Sequence, residues 1–233
     1  MMSDTLSQSI ARADRAEDSA ARFARLSTMN AAELAHTIGG DPAAAAPWVR
    51  AAAVHGVTEA QVRLGRMLLH GEGVARDEAA AYRWFLRAAR EDDADANNMV
   101  GRCHDNGWGV PASDAEATPW YARAAEAGLD WGEYNYAHML FDGRGGVTMD
   151  REAAFALYLS AANRGHIRAM NIVGRCLEAG WGTAADPEAA KPWFRRSAEG
   201  GYFRAQFNHA VVLLEQGRAE EARLWFEIGR AHV

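Results

Sequence analysis

Lysine is almost absent: Lys191 is the only one, so arginine supplies every other basic side chain. Chemistry that needs several amines is excluded, because one residue alone could form a Schiff base. A basic surplus is also missing. The formal net charge is −6 and the pI about 5.8, where a nucleic-acid binder needs a positive face. No nucleic-acid partner is expected. Apolar runs are short, and none reaches the 18 or so residues that cross a bilayer. The segment from Met1 to Leu26 carries Asp4, Arg12, Asp14, Arg15, Glu17 and Asp18 and has no signal-peptide core. No membrane association is expected, and a cytoplasmic location is.

Reactive motifs are scarce too. There is no Gly-x-Ser-x-Gly, no phosphate loop and no Cys-x-x-Cys. His70, His104, His138 and His209 make no His-x-x-x-His pair on one helix. The glycine run at Gly143-Arg144-Gly145-Gly146 joins two predicted helices and follows no strand, so a nucleotide reading lacks its context. No catalytic residue, metal or cofactor is expected. Only Cys103 and Cys176 carry thiols, far fewer than a disulfide-stapled secreted repeat protein shows.

What the chain has is self-similarity. Leu64-Gly65-Arg66-Met67 to Gly71-Glu72-Gly73-Val74 returns as Val100-Gly101-Arg102-Cys103 to Gly107-Trp108-Gly109-Val110. It returns from Tyr136 to Val147 with one extra residue, and again from Val173 to Thr183 through Gly180-Trp181-Gly182. A second pattern follows each copy: Trp84-Phe85, Trp120-Tyr121, Leu157-Tyr158 and Trp193-Phe194, then a small pair such as Ala88-Ala89. The repeats begin at Ala60, Ala96, Gly132, Ala169 and Ala205.

Each repeat reads as two helices. Ala60, Leu64, Met67 and Leu68 share a face of the first by 3.6-residue periodicity. Gly71 and Gly73 stop that helix. Asp77 caps the second, with Asp41, Asp150, Asp186 and Ser113 at equivalent places. Tyr82, Phe85 and Ala89 make the buried stripe of the second helix, and Trp84, Trp120 and Trp193 are expected in the core. Gly65 and Ala89 allow close helix approach. Pro47, Pro119 and Pro192 fall inside predicted second helices, where each bends the helix or marks its true start. Cys103 and Cys176 take the slot of Met67 and Met139. They lie two repeats apart, too far for a disulfide, and read as small core hydrophobes.

The spaced pattern Ala-x-x-x-Leu-Gly, Gly-x-Gly-Val, Asp and Trp-aromatic-x-x-Ala-Ala resembles the Sel-one-like repeat (SLR) family, a relative of the tetratricopeptide repeat. The resemblance covers about residues 27 to 231. It implies an all-α fold, a right-handed α/α superhelix or solenoid whose first helices line the concave side. It also implies an adaptor role in protein complexes. The expected organisation is a polar N-terminal helix or tail over 1–26 and a degenerate repeat over 27–59, opened by the capping box Asn30-Ala31-Ala32-Glu33. Four repeats follow over 60–95, 96–131, 132–168 and 169–204. A tetratricopeptide-like hairpin closes the chain over 205–233.

A ladder runs through the first helices. Arg66, Arg102, His138 and Arg175 follow the recurring first-helix glycine or, at His138, the equivalent Ala137. Four residues before them, and before Val211 in the last repeat, stand Val62, Asn98, Tyr134, Asn171 and Phe207. Three residues after them come Leu69, Asp105, Phe141 and Glu178. These offsets share one helix face. Stacked repeats would turn it into a stripe able to bond a peptide main chain and fork to carboxylates. Alternatively each arginine pairs with its own Asp105 or Glu178. Trp108 and Trp181 either fold over the helix junction or serve as exposed anchors. The expected function is capture of a protein or peptide segment, possibly acidic, in the concave groove. Two rivals remain: β-lactam binding or hydrolysis, as in disulfide-rich relatives, and self-assembly as a homodimer through the terminal Trp225, Phe226 and Ile228.

Overall fold

The computed structural model describes residues 18–230, and among them every regular element is a helix. Residues 18–26 are helical. The helices that follow are α1 (Ala31–Gly39), α2 (Pro42–Val54), α3 (Thr58–His70), α4 (Glu78–Ala89), α5 (Ala94–Asn106), α6 (Asp114–Glu126), α7 (Asp130–Asp142), α8 (Arg151–Asn163), α9 (Ile167–Ala179), α10 (Pro187–Glu199), α11 (Phe203–Glu215) and α12 (Ala219–Arg230). Most of the expected polar tail, residues 1–17, and the last three residues of the closing hairpin lie outside the described residues.

The chain forms two compact units, one ending at Ser113 and one beginning at Asp114. In the first, each helix from α1 to α5 packs on the next; the same holds from α6 to α12 in the second. α3, α5, α7, α9 and α11 are the first helices of successive repeats, and α4, α6, α8, α10 and α12 the second.

Local chemistry sets these boundaries. The Asn30 carboxamide oxygen accepts from the N–H groups of Ala32 and Glu33, both at 3.0 Å, and Glu33 returns a bond to the Asn30 N–H at 2.9 Å. That is the capping box read from sequence. Asp41, Asp77, Asp150 and Asp186 each accept from the N–H three residues on, at 2.8–3.0 Å. At the other end of α3, Gly71 takes the left-handed conformation (φ 74°) and its N–H reaches the Met67 carbonyl. Gly73 has a second duty. Its φ is also positive, and a Cβ there would run into the Pro42 carbonyl at the start of α2. The Gly-x-Gly loop therefore stops one helix and seats it on the preceding hairpin.

The core follows from the aromatic after each tryptophan. Phe85, Tyr121, Tyr158 and Phe194 are at most 2% exposed. Gly65 faces the Phe85 ring and Gly174 the Phe194 ring so closely that any side chain would overlap them. Trp84, Trp120 and Trp193, expected in the core, are only half-buried, although Trp193 packs against the cluster around Tyr158 and Val173. The arginine three residues on lies over each indole, Arg87, Arg123 and Arg196 at 5.5, 4.9 and 4.8 Å. One helical step separates the buried slot from the tryptophan, and a guanidinium lies over each half-buried indole. Tyr82 is likewise half-buried.

Pro47, Pro119 and Pro192 lie inside α2, α6 and α10. They do not mark helix starts. Each removes a donor from the carbonyl four residues earlier, at Ala43, Ala115 or Glu188. Those residues are exposed, so water can serve the freed carbonyl.

Candidate functional site

In the first unit the ladder is internally engaged. Arg66 donates to both carboxylate oxygens of Asp95 at 2.7 Å. Asp95 stands in the first turn of the next first helix, so the pair ties α3 to α5. Arg66 pairs across repeats and not within its own helix, and it is not an unoccupied cation. Arg102 lies over the Trp108 ring at 5.0 Å and bonds the Met99 sulfur at 3.6 Å. Trp108 is half-buried beneath it. Asn98, expected on the open stripe, is 3% exposed.

In the second unit Arg175 repeats the stacking, over Trp181 at 5.2 Å. Trp181 also meets Phe141 edge-on at 5.8 Å. The loop tryptophans thus fold back onto their own first helices. Asn171 is buried like Asn98, for a visible reason: its carbonyl oxygen accepts from the Asn208 amide of α11 at 2.8 Å. This ladder position faces the seam between neighbouring first helices, not open solvent. On α11, the last first helix of the described residues, the equivalent residue, Phe207, is 58% exposed.

His138 and Tyr134 belong to an aromatic cluster. A 2.8 Å hydrogen bond joins the Tyr158 hydroxyl and His138 Nδ1. Tyr134 meets His138 edge-on and stacks on His166, both at 4.6 Å. Burial raises the pKa of both phenols. His166 caps α9: its Nδ1 accepts the Ala169 N–H at 3.1 Å, which places the proton of the neutral ring on Nε2. Nε2 is buried without a hydrogen-bond partner. Burial pulls the pKa of His166 below the ordinary value. Asp130 opposes that pull; the charge of Arg168 adds to it.

Two cavities adjoin the ladder of this unit and share Arg175. The smaller, about 150 Å³, is bounded by His138, Phe141, Asp142, Tyr158, Ile172 and Trp181. The larger, about 680 Å³, lies between α9, α11 and α12. Asn171 and Arg175 enter it from α9, and Phe203, Arg204, Phe207 and Asn208 from α11. Trp225, Phe226 and Arg230 close it from α12. Phe207 meets Phe226 edge-on at 5.3 Å. The structure therefore brings together His138, Asn171, Arg175, Phe207 and Trp181 of the expected stripe, with Tyr134 beside them. Sequence reasoning missed Phe203, Arg204, Asn208 and Arg230. Arg204 had a signal. It occupies the register of Asp95, directly before the repeat's opening alanine, where acid has become base.

Trp225 and Phe226 pack inward on Ala210, Leu213 and Ala222. Of the terminal face offered for self-assembly only Ile228 is exposed, and Leu224, which was not part of that expectation, is exposed on the same helix. Cys103 and Cys176 are free and fully buried. Burial pushes their thiols up to about 12 and about 11, so neither supplies a thiolate near neutrality. Lys191 is ion-paired with Glu188. No helix of the described residues is long and apolar enough to cross a membrane.

Comparison with known proteins agrees with this architecture. The Sel1 repeat profile matches residues 58–93, 94–129, 132–166 and 167–202. A Sel1 repeat protein from Oxalobacter formigenes is similar over 80% of this chain and 76% of its own, with 27% identity and a TM-score of 0.72. A protective antigen of uropathogenic Escherichia coli strains that displays an SLR fold matches 85% of this chain with 28% identity and a TM-score of 0.71. This chain spans only 44% of that antigen. A Klebsiella pneumoniae protein described as a putative Sel1 repeat protein shares the fold at 20% identity, with a TM-score of 0.53, covering 78% of this chain and 90% of its own. No curated protein matches. Proteins of this kind generally serve as protein-interaction scaffolds, and the repeat is typically non-enzymatic. With four matched repeats across more than half its length and an all-α helical-repeat fold, the chain belongs to the Sel1 repeat family.

Proposed function

We propose that this protein captures a peptide segment of another protein along the groove formed by α7, α9 and α11 of its second unit. One observation carries the reading: two cavities meet at Arg175, and both are bounded by residues at ladder positions. A stripe of neighbouring cavities suits an extended chain, which presents side chains at regular intervals. Asn208 and Arg175 offer donors for main-chain carbonyls and carboxylates. The first unit is a weaker candidate, because Asp95 already holds Arg66.

The test is affinity capture from the native organism with full-length chain, read by mass spectrometry. Arg175→Ala combined with His138→Ala should lose the partners that wild type retains; because His138 bonds the buried Tyr158 hydroxyl, the melting temperature should fall by some degrees, and capture is run well below it. Retention of the same partners by the double variant would place the interaction elsewhere.

For β-lactam hydrolysis, Cys103 and Cys176 are both buried and unpaired, and a chromogenic cephalosporin assay tests that reading directly. Self-association has one specific feature in its favour, the exposed Leu224 and Ile228 on α12. Light scattering across concentration separates it from the monomeric reading.

A further inference from the structure

The cavity between α9, α11 and α12 has an unusual balance of charge. The chain as a whole is acidic, yet every ionisable residue that bounds this space is an arginine: Arg175, Arg204 and Arg230. None of the three has an acidic partner among the described residues. The walls between them are aromatic, from Phe203, Phe207 and Trp225 among others.

The repeat register shows how this arises. In the first unit, Arg66 is neutralised by Asp95, the residue just before the opening alanine of the next repeat. The residue in the same relation to Arg175 is Arg204. The position that quenches the ladder cation in one unit therefore doubles the charge in the other. His138 and Arg168 stand in that relation too, and Arg168 spreads over the Trp131 and Tyr202 rings at 5.5 and 5.9 Å in place of an acid. Arg175 lies over Trp181 and Arg204 over Phe203, at 5.2 and 5.7 Å; ring faces do not neutralise a guanidinium, and like charges around an apolar space gain by an anionic guest. Phe207, 58% exposed inside such a ring, gains by an apolar one.

We infer that this cavity anchors a partner peptide through one bulky apolar side chain, aromatic or long aliphatic, flanked by carboxylates that Arg175, Arg204 and Arg230 hold. The inference rests on the groove reading above and specifies its ligand. The apolar group is desolvated against Phe203, Phe207 and Trp225. The carboxylates replace the acid that the repeat register lacks here.

The test uses the full chain and a short fluorescein-labelled peptide with a central Phe flanked on both sides by Asp and Glu, read by polarisation. Two control peptides replace Phe by Ala, or every acid by its amide. The parent peptide should bind, and each control should bind at least about tenfold more weakly. Phe207→Ala and Arg204→Asp should each weaken the parent by a similar factor. Both residues are exposed, and unchanged melting excludes misfolding. Arg204→Asp restores the arrangement that holds Arg66. Affinity should also fall as salt rises.

Equal binding of the amide control, or indifference to Phe207→Ala, overturns the inference. If binding then still depends on His138 and Arg175, the groove reading survives without this pocket. Failure of the parent peptide to bind overturns the inference, and native-partner capture then decides the groove separately. Binding that appears only once a dimer is diluted out assigns the cavity to a second copy and also overturns it.

Discussion

Gly65→Ala tests the packing argument at its most exposed point. Glycine inside a helix costs about 1 kcal/mol relative to alanine, so with free space around it the substitution would stabilise α3. The space is not free. The new Cβ would overlap three atoms of the Phe85 ring, Cδ1, Cε1 and Cζ. Phe85 is 0% exposed and has no flexible tip to move aside. Overpacking a close-packed core costs about 1–3 kcal/mol, and overlap with a rigid ring puts this case at the upper end. The net expectation is a loss of about 2 kcal/mol, or roughly 4–8 °C in melting temperature for a chain of this size. Urea melts followed by far-ultraviolet circular dichroism read it. Gly39→Ala is the control, because nothing lies within 4 Å of a Cβ there; it should be neutral or slightly stabilising. Shrinking the ring with Phe85→Leu in the Gly65→Ala background should recover part of the loss, so the two changes should be less than additive. A stabilised Gly65→Ala protein, or strict additivity, would refute the claim that helix approach depends on this glycine.

Other expectations follow from the same contacts. Phe85→Ala should cost about 3–5 kcal/mol, and Trp84→Ala distinctly less, because the indole is half-buried under Arg87; paired urea melts compare them. The unfolded His166 ring titrates near 6.5 and the folded ring lower. Unfolded chains thus bind the proton more readily just below 6.5. Stability is fully present above that value and falls as the pH drops through the window below it. His166→Asn retains a capping oxygen without titrating and should flatten the slope below about pH 6.5. His209, whose pKa burial also lowers, contributes in the same direction. Asp95→Ala should cost at most about 1 kcal/mol, and less at high salt, as befits an exposed pair. Cys103 and Cys176 should resist a thiol reagent until urea unfolds the chain; prompt reaction under native conditions would contradict their burial.

The fold was almost wholly legible in the sequence. Repeated Gly-x-Gly loops, capping aspartates and the Asn30 box are local signals, and each acts within a few residues of where it is written. The Trp84 slot was misread because recurrence shows that a position is used, not which side of it is covered; one helical step separates the buried Phe85 from the half-buried Trp84. Asn98 and Asn171 were misread for a related reason. Helical periodicity places residues on a common face, but whether that face meets solvent depends on the next helix, 36 or so residues away. The Asn171–Asn208 bond is such a long-range fact. Arg204 was the recoverable omission. Aligning each residue before the opening alanine gives Glu59, Asp95, Trp131, Arg168 and Arg204. The change from acid to base along that column marks where ladder cations lose their partners.

The central claim is that α9 and α11 of the second unit hold a peptide between them. Hydrogen exchange of the full chain, free and saturated with the acidic Phe-centred peptide, tests it most directly. The account predicts slowed exchange concentrated in α9, α11 and α12, with α8 and the first unit unchanged. Slowing centred on α8, on the first unit, or nowhere would contradict it.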